Sequence, residues 1–507
     1  MSIDDALRAP LRLLVRQAGA LLPLYLFAAS GPGVARVPVL AAIGVAVAYL
    51  ATTGQLDPVA AALQDLDLRG IAESGGTATG PVGPATADPL AAAAAGLATP
   101  PVVGLIIVSV LAAVIVGLVA GGVGSAATLA AVNAGLRRED PLVAGVRGVA
   151  PHWRAIVALT LVRGALYLAI GGAILALAAA VAAVAATAAV AVLLLTVVVA
   201  LPVVVAVELL FGFAGPAVVV DDVDAATALR RAARLAIDRP ATYVVLLLIG
   251  GAFLVGLAAA AAVGSIAGGT RAVGLLTTLV VAPIYDGVRV ALYANRNPLP
   301  PTEPVDRRPL GRRLAAVPRD GLAALGRFVW THPAANVGGA ALLAVGFVAG
   351  WALVAPYDLG VQPPGDVGSV FGAVPVGPFV NIAANNWLVA ASAAYGGVGA
   401  GVPTAFAMGL NGALLGVVAS VVDRTAFLAL VGPHATLELP AIAVAGGLGL
   451  HLGRVGVDAV RGRREAAGVA GDFREAFRVL VGLAVVFVAA AAIEAFVTPA
   501  IAAAVLG

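Results

Sequence analysis

The sequence predicts an all-α, polytopic integral membrane protein with about eleven transmembrane helices. Of its 507 residues, 61% are hydrophobic and only 11% are charged, and the mean hydropathy is +1.04. A soluble chain of this length could not cover so much apolar surface. Apolar runs of about 20 residues recur along the chain, which is the length that crosses a hydrocarbon core of about 30 Å. Arginines gather between alternate runs, as expected of a multi-pass protein.

Eleven apolar runs are long enough to be transmembrane spans. Amphipathic stretches precede four of them and predict interfacial elbow helices, because arginines lie on one face and small apolar residues on the other. These stretches cover residues 5–16, 141–154, 221–239 and 312–331. The predicted spans lie near residues 37–53, 102–134, 155–180, 185–210, 241–265, 273–294, 336–355, 380–397, 402–421, 437–457 and 479–497.

A Pro- and Arg-rich stretch interrupts the spans and predicts a division into two units. Residues 1–295 form a six-span membrane domain, and residues 296–330 form a cytoplasmic linker that ends in an elbow helix. Residues 331–507 then form a five-span domain. No whole-unit repeat relates the two domains, which disfavours a transporter built from inverted repeats.

The placement of arginine predicts the orientation in the cell membrane. If eleven spans alternate, every large arginine cluster lies on one side, and the opposite loops carry only Arg69, Arg271 and Arg424. Because positive loops stay inside, the N-terminus is predicted in the cytoplasm and the C-terminus outside. The basic residues occupy short loops rather than one surface, so no nucleic-acid partner is expected.

Polar residues inside the C-terminal spans form the candidate functional site. An ionisable side chain in hydrocarbon costs on the order of 3 kcal/mol or more, so its presence there indicates a function. His434 and Glu438 stand four residues apart at the head of the tenth span, where they face the same way. The inferred topology places all the candidates in the outer half of the membrane, which predicts one polar cluster. Its members are Asn385, Asn386, Asn411, His434, Glu438 and Glu494.

Small residues and prolines accompany this cluster as a structural motif. Gly412 and Gly416 allow two helices to approach closely enough for polar side chains to meet. Pro433, Pro440 and Pro499 stand next to the candidate polar residues. In the N-terminal domain, Arg163 and Glu208 are predicted to pair between spans, and Asp286 and Arg289 are predicted to pair locally at i and i+3.

The residue inventory disfavours the familiar enzyme classes. The chain has no cysteine and no lysine, so thiol chemistry and a phosphate-binding Gly-x-x-x-x-Gly-Lys loop are excluded. His434 has no second histidine four residues later, as a His-Glu-x-x-His zinc site requires. We therefore predict no catalytic residues, no metal site and no cofactor, and an enzyme is the least favoured of three hypotheses.

The C-terminal half, about residues 320–507, resembles the stage II sporulation protein M family. The resemblance depends on several motifs in combination: Asn385-Asn386, the Gly-rich run into Asn411-Gly412, Pro433-His434, Glu438-Leu439-Pro440-Ala441, Gly447 to Gly453, and Ile493-Glu494-Ala495 with Pro499. More loosely, the N-terminal half resembles the membrane domains found beside glycerophosphodiester phosphodiesterases, through the Arg239-Pro240 elbow and Pro283-Ile-Tyr285 to Tyr293. No phosphodiesterase domain is recognised in the sequence.

The resemblance implies a membrane-embedded partner or scaffold in envelope remodelling, since the family is linked to membrane engulfment alongside separate cell-wall hydrolases. The leading hypothesis is a non-enzymatic protein whose polar cluster holds the five-span domain together or docks a partner. Its expected partners are the lipid bilayer and other envelope proteins or further copies of the chain. The alternative is a transporter or a proton- or cation-conducting protein that uses His434, Glu438 and Glu494.

Overall fold

The computed structural model describes residues 3–64, 95–183, 186–266, 269–295, 310–359 and 375–506. The regular elements described there are helices, and ten of these helices are long and apolar enough to cross a membrane. This confirms the all-α, polytopic membrane class. The predicted number of about eleven spans stays a prediction, as does most of the predicted linker, because 296–309 lies outside the described residues.

The helices are numbered here in chain order. Those of the first 295 residues are α1 (Ile3–Ala29), α2 (Gly31–Thr52), α3 (Asp57–Gln64), α4 (Pro100–Leu136), α5 (Pro141–Ala182), α6 (Ala186–Asp221), α7 (Ala225–Asp238), α8 (Pro240–Ile266), α9 (Thr270–Leu276) and α10 (Ala282–Ala294). Those that follow are α11 (Leu310–Thr331), α12 (Pro333–Val354), α13 (Val376–Gly396), α14 (Val402–Val421), α15 (Arg424–Val460), α16 (Ala466–Ala492) and α17 (Thr498–Leu506).

Large apolar side chains lie exposed along the outer faces of the long helices. Leu168 is 79% exposed, Leu254 70% and Val345 68%. Monomeric soluble proteins rarely expose apolar surface of this extent. These faces therefore contact lipid, which agrees with the hydropathy of the sequence.

Of the four predicted elbow helices, two are separate elements. Helix α7 begins after Asp224, whose carboxylate accepts the Thr227 backbone N–H at 2.9 Å, and Pro240 then starts α8. Helix α11 likewise ends just before Pro333. The stretch 5–16 is set apart from the rest of α1 by a kink at Gln17, where the backbone is not helical (φ −125°, ψ 29°). The stretch 141–154 is instead the first part of α5, which continues through Pro151, so its prediction as an independent elbow is wrong.

The contacts divide the chain into two compact units, whose segments interleave along the sequence. The first unit comprises Met1–Ala29, Leu118–Ala259 and Leu276–Arg307. The second comprises Ser30–Gly117, Ala260–Leu275 and Arg308–Gly507. The predicted division of the sequence at 296–330 remains a prediction.

A buried polar network ties α1, α6 and α10 together in the first unit. Arg289 donates to the Asp286 carboxylate at 2.9 Å and to the Gly212 carbonyl at 2.7 Å. The Tyr25 hydroxyl donates to the same carboxylate at 3.1 Å. Because each charge has a partner, the pair can be buried without leaving an unpaired ion. The predicted local pairing of Asp286 with Arg289 is therefore confirmed.

A second polar pair joins α5 to α6. Arg163 Nη1 lies 3.8 Å from Glu208 Oε2, which confirms the predicted pairing between spans. The Tyr167 hydroxyl also donates to Glu208. Glu208 therefore has a structural role, because its contacts join α5 to α6.

Glycines allow α12 and α14 of the second unit to pack backbone to backbone. Gly346 faces Gly409, and Gly350 faces Ala413. A residue four positions later on α12 faces a residue four positions later on α14, so the two helices run parallel. From the other side, Gly412 faces the Leu343 carbonyl, with no room for a side chain between the helices. Such contact between small residues is the usual way in which membrane helices associate.

Candidate functional site

His434 and Glu438 lie inside the long helix α15 rather than at its head. The helix begins at Arg424, where the Asp423 carboxylate accepts the Thr425 backbone N–H at 2.8 Å and that of Ala426 at 3.1 Å. The helix therefore begins well before residue 437, and the predicted entry of the tenth span into the membrane near that residue stays a prediction. Pro433 and Pro440 both lie within the continuous helix. Helices in lipid tolerate proline because neighbouring groups satisfy the freed carbonyls.

The two prolines bracket the candidate residues on α15. A proline lacks the N–H that would bond to the carbonyl four residues earlier, so Pro433 frees the Ala429 carbonyl and Pro440 frees that of Thr436. His434 and Glu438 thus lie one turn apart in a stretch of weakened backbone hydrogen bonding. The positions of the two prolines in the sequence determine where these backbone hydrogen bonds are missing.

Glu494 lies in a π-helical segment, Ile493–Val497, between α16 and α17. The Thr498 backbone N–H bonds to the Ile493 carbonyl, five residues earlier, instead of to Glu494. Pro499 explains the wider turn, because its missing N–H and its ring disfavour an ordinary α-helical turn around Ala495. Single π-helical turns are frequent at functional sites.

The structure brings His434, Glu438 and Glu494 together. One ligating atom from each of these side chains lies within 4.8 Å of the other two, and all three residues are half-buried. His434 Nδ1 and Glu438 Oε2 are covered from solvent and have no hydrogen-bond partner among the described residues. Unpaired buried polar atoms are rare in native proteins and call for an explanation.

The three asparagines make other contacts. Asn385 donates to the Asn386 side chain at 3.3 Å, and Asn411 donates to the Ala407 carbonyl of its own helix at 2.7 Å. Helix α13, which carries the first two, reaches the π-helical segment through Phe379 and Phe496, whose ring centres are 5.7 Å apart. The convergence of all six predicted residues stays a prediction, and the observed cluster has three members.

The two glycines of the structural motif lie in tight packing between α14 and α12. A methyl group on Gly412 would lie 2.8 Å from the Phe347 nitrogen, and one on Gly416 would lie 2.8 Å from the Trp351 nitrogen. The prolines shape α15 and the π-helical segment, as described above. Their function beyond this geometry remains a prediction.

An apolar groove of about 830 Å³ lies on a different face of α15 from His434 and Glu438. Its walls come from α12, α14 and α15, and include Leu343, Phe347, Phe427 and Leu439. Since few polar atoms line it, the groove has no means of binding an ion. The groove therefore adds nothing to the chemistry of the three-residue cluster.

The charge balance of the cluster limits what it can do. Two carboxylates this close cannot both be ionised in an apolar environment unless a positive charge lies between them. No arginine forms an ion pair with Glu438 or Glu494 within the described part of the chain. Protons on the carboxyl groups, a protonated His434 or a bound cation therefore have to balance the pair.

A second polar cluster, near the other end of α15, was not anticipated from the sequence. The rings of His332 and His451 lie 4.5 Å apart, and His451 Nε2 lies 3.7 Å from the Asp472 carboxylate. Arg464 pairs with the same carboxylate at 2.5 Å. Burial, followed by the neighbouring His451, lowers the pKa of His332 from 6.5. The four residues come from separate parts of the sequence, so no spacing could have indicated the cluster.

Comparison with known proteins gives one match. No curated protein and no solved structure matches the chain. A family model described as stage II sporulation protein M matches residues 339–499, which include α13, α14, α15 and the three-residue cluster. The predicted resemblance is confirmed: the C-terminal part of this polytopic membrane protein carries the pattern of the stage II sporulation protein M family.

Proposed function

We propose that this protein is a non-enzymatic membrane scaffold that docks partners during cell-envelope or membrane remodelling. The packing of α12 against α14 carries the proposal, because backbone contact at Gly346, Gly350, Gly412 and Gly416 makes this pair a rigid platform. A rigid surface binds a partner without a large ordering cost. The similarity of residues 339–499 to stage II sporulation protein M supports the same role.

Further contacts extend this platform across the second unit. The Trp387 indole donates to the Leu480 carbonyl at 2.7 Å, and the buried Tyr395 hydroxyl donates to the Phe473 carbonyl at 2.9 Å. Both bonds tie α13 to α16. Gly339 of α12 faces the α15 backbone around Ala443, which fixes a further pair of helices. These contacts favour a fixed arrangement of the helices, as a docking platform requires.

The second candidate function is proton or cation conduction through the three-residue cluster. The covered, unpartnered atoms of His434 and Glu438 favour it, because a dry scaffold would be expected to pair them. Intramembrane histidine and glutamate also serve as proton relays in pumps and transporters. The two functions make opposite predictions for a Glu438→Gln variant.

A reconstitution experiment separates them. Wild-type protein and the Glu438→Gln variant are placed in liposomes that contain a pH-sensitive dye, and a pH gradient and then a potential are applied. The scaffold function predicts no flux above empty liposomes for either protein, and the same elution on size exclusion for both. Flux through the wild type that is lost in a normally folded Glu438→Gln variant would establish conduction instead.

A genetic experiment tests the scaffold itself. Cells that lack the protein are complemented with the wild type, with Glu438→Gln, or with Gly412→Leu, and envelope shape is followed by microscopy. We expect Glu438→Gln to restore the wild-type shape, whereas Gly412→Leu fails because it separates α12 from α14. Complementation by a membrane-inserted Gly412→Leu protein would contradict the role of the platform.

A further inference from the structure

We propose that His434, Glu438 and Glu494 form a binding site for a divalent first-row transition metal of the Zn²⁺ class. The site joins α15 to the π-helical segment that follows α16. The proposal is independent of the scaffold function. A bound metal would hold α15 against the π-helical segment, and this does not determine which partner the second unit docks. The proposal also departs from the sequence analysis, which predicted no metal site.

The donor set fits this class of metal. An imidazole nitrogen and two carboxylate oxygens are common ligands of Zn²⁺, Fe²⁺ and Mn²⁺, whereas Mg²⁺ and Ca²⁺ prefer oxygen ligands alone. The imidazole therefore selects against the two abundant hard cations. Three protein ligands leave a fourth position for water or for a group from a partner.

The charge of the cluster also fits a divalent cation. With a neutral histidine, the ionised pair Glu438 and Glu494 carries two negative charges, which a divalent metal balances in full. No arginine of the described residues pairs with either carboxylate. In an apolar environment this balance stabilises the bound ion more than the same ligands would in water.

The geometry requires only a small adjustment. The three ligating atoms lie within 4.8 Å of one another. Ligands held at about 2.0–2.2 Å around a tetrahedral Zn²⁺ lie roughly 3.5 Å apart. Rotation of the glutamate side chains about their own bonds covers this difference, because the backbone positions on α15 and the π-helical segment are already close.

The unpartnered atoms give an independent indication of a ligand. His434 Nδ1 and Glu438 Oε2 are covered and have no partner among the described residues. A metal ion would accept a lone pair from each and so remove the cost of leaving them unsatisfied. Pro499 adds to the argument, since the π-helical turn that it favours sets the direction of Glu494.

Metal binding by the full-length protein tests the proposal. The protein is purified in detergent, depleted with a chelator, and titrated with Zn²⁺ by calorimetry, and the bound metal is counted by mass spectrometry. Co²⁺ serves as a spectroscopic probe of nitrogen and oxygen ligation. We expect one Zn²⁺ per chain, a visible Co²⁺ absorption, and no competition from excess Mg²⁺.

Three variants assign the site. Each of the variants His434→Gln, Glu438→Gln and Glu494→Gln should weaken Zn²⁺ binding by at least about tenfold. Removing a residue that only hydrogen-bonds to a metal ligand already lowers metal affinity by about 10–100-fold. The control is Glu465→Gln, which changes an exposed glutamate of the same unit and should bind Zn²⁺ as the wild type does. Unchanged Zn²⁺ binding in the three variants would overturn the assignment.

A thermal measurement keeps the test decisive if a variant folds poorly. Zn²⁺ should raise the unfolding midpoint of the wild type and of Glu465→Gln, and should leave that of Glu494→Gln unchanged. A wild type that binds no Zn²⁺ above its chelator-treated background would overturn the proposal. Because neither result concerns envelope shape, failure here is distinct from failure of the scaffold function.

Discussion

At the scale of single residues, the second unit depends on positions where only a hydrogen atom fits. Gly412 and Gly409 lie one turn apart on α14 but differ in their surroundings. A methyl group on Gly412 would meet the α12 backbone, whereas one on Gly409 would lie more than 4 Å from any neighbour. The two positions thus form a matched pair for testing the packing.

Gly412→Ala should lower the free energy of unfolding by about 1–3 kcal/mol, the usual cost of overpacking. The added methyl group has to push α12 away, because its nearest neighbours are backbone atoms. Gly409→Ala is the control and should be neutral, or slightly stabilising through its helix propensity. Unfolding in detergent with increasing denaturant measures both, and equal midpoints for the two variants would contradict the packing.

The histidine pair near the other end of α15 predicts a pH dependence. The pKa of His332 is lowered from 6.5 by burial and by His451, and Asp472 opposes the shift. Between the two pKa values the unfolded chain binds more protons than the folded one, so stability is full above about pH 6.5 and falls as the pH drops below it. His332→Gln should weaken this dependence, as measured by thermal unfolding between pH 5 and pH 8, roughly the range of histidine titration.

A histidine elsewhere provides the comparison for this pH effect. His152 lies in the first unit, where its Nε2 is 3.1 Å from the Asp222 carboxylate. His152→Gln should leave the His332-dependent slope in place. If His332→Gln retains the wild-type slope, the His332–His451 pair does not control stability in this range.

At the scale of elements, caps and prolines decide where the helices begin and how they turn. Helix α15 begins at the Asp423 cap and passes through two prolines, so it runs for 37 residues, or about 55 Å. This length exceeds the bilayer core of about 30 Å. The helix therefore extends beyond the hydrocarbon at one end or tilts within it.

The Asp423 cap should contribute to the stability of α15. Asp423→Ala is expected to cost about 1 kcal/mol, because the Thr425 and Ala426 N–H groups lose their acceptor. Asp423→Asn keeps a side-chain oxygen and should remain close to the wild type. Denaturant unfolding compares the three proteins, and an alanine variant as stable as the asparagine variant would show that the cap contributes nothing.

At the scale of the whole molecule, the arginines predict the orientation in the membrane, and this prediction is open to direct test. The natural chain has no cysteine, so single cysteines can be introduced without background labelling. Arg463→Cys lies in the exposed connection between α15 and α16, and Thr425→Cys lies at the start of α15. These two positions are at opposite ends of the same helix.

An impermeant maleimide applied to intact cells should label Thr425→Cys and spare Arg463→Cys until the membrane is opened. The physical reason is the positive-inside rule, which places Arg461, Arg463 and Arg464 in the cytoplasm. The labelling is measured by mass shift of the purified protein. The reverse pattern would invert the proposed orientation.

Composition and hydropathy determined the membrane class, and local sequence determined several element boundaries. Residues 402–421 were predicted as a span and form α14 with those limits. The predicted start of the tenth span at residue 437 lies inside α15, because the helix continues from its Asp423 cap through Pro433. The point along α15 at which the hydrocarbon begins stays a prediction. Thus hydropathy located the spans, while their ends depended on caps and neighbours.

By itself, the sequence determined that the protein is an all-helical membrane protein, that its C-terminal part resembles stage II sporulation protein M, and that intramembrane His434, Glu438 and Glu494 stand out chemically. Only the tertiary structure decided that these three meet while Asn411 bonds within its own helix. The reason is that hydropathy depends on each residue and its near neighbours. Which faces of distant helices meet depends instead on packing, here on glycine contacts and on the π-helical turn before Pro499.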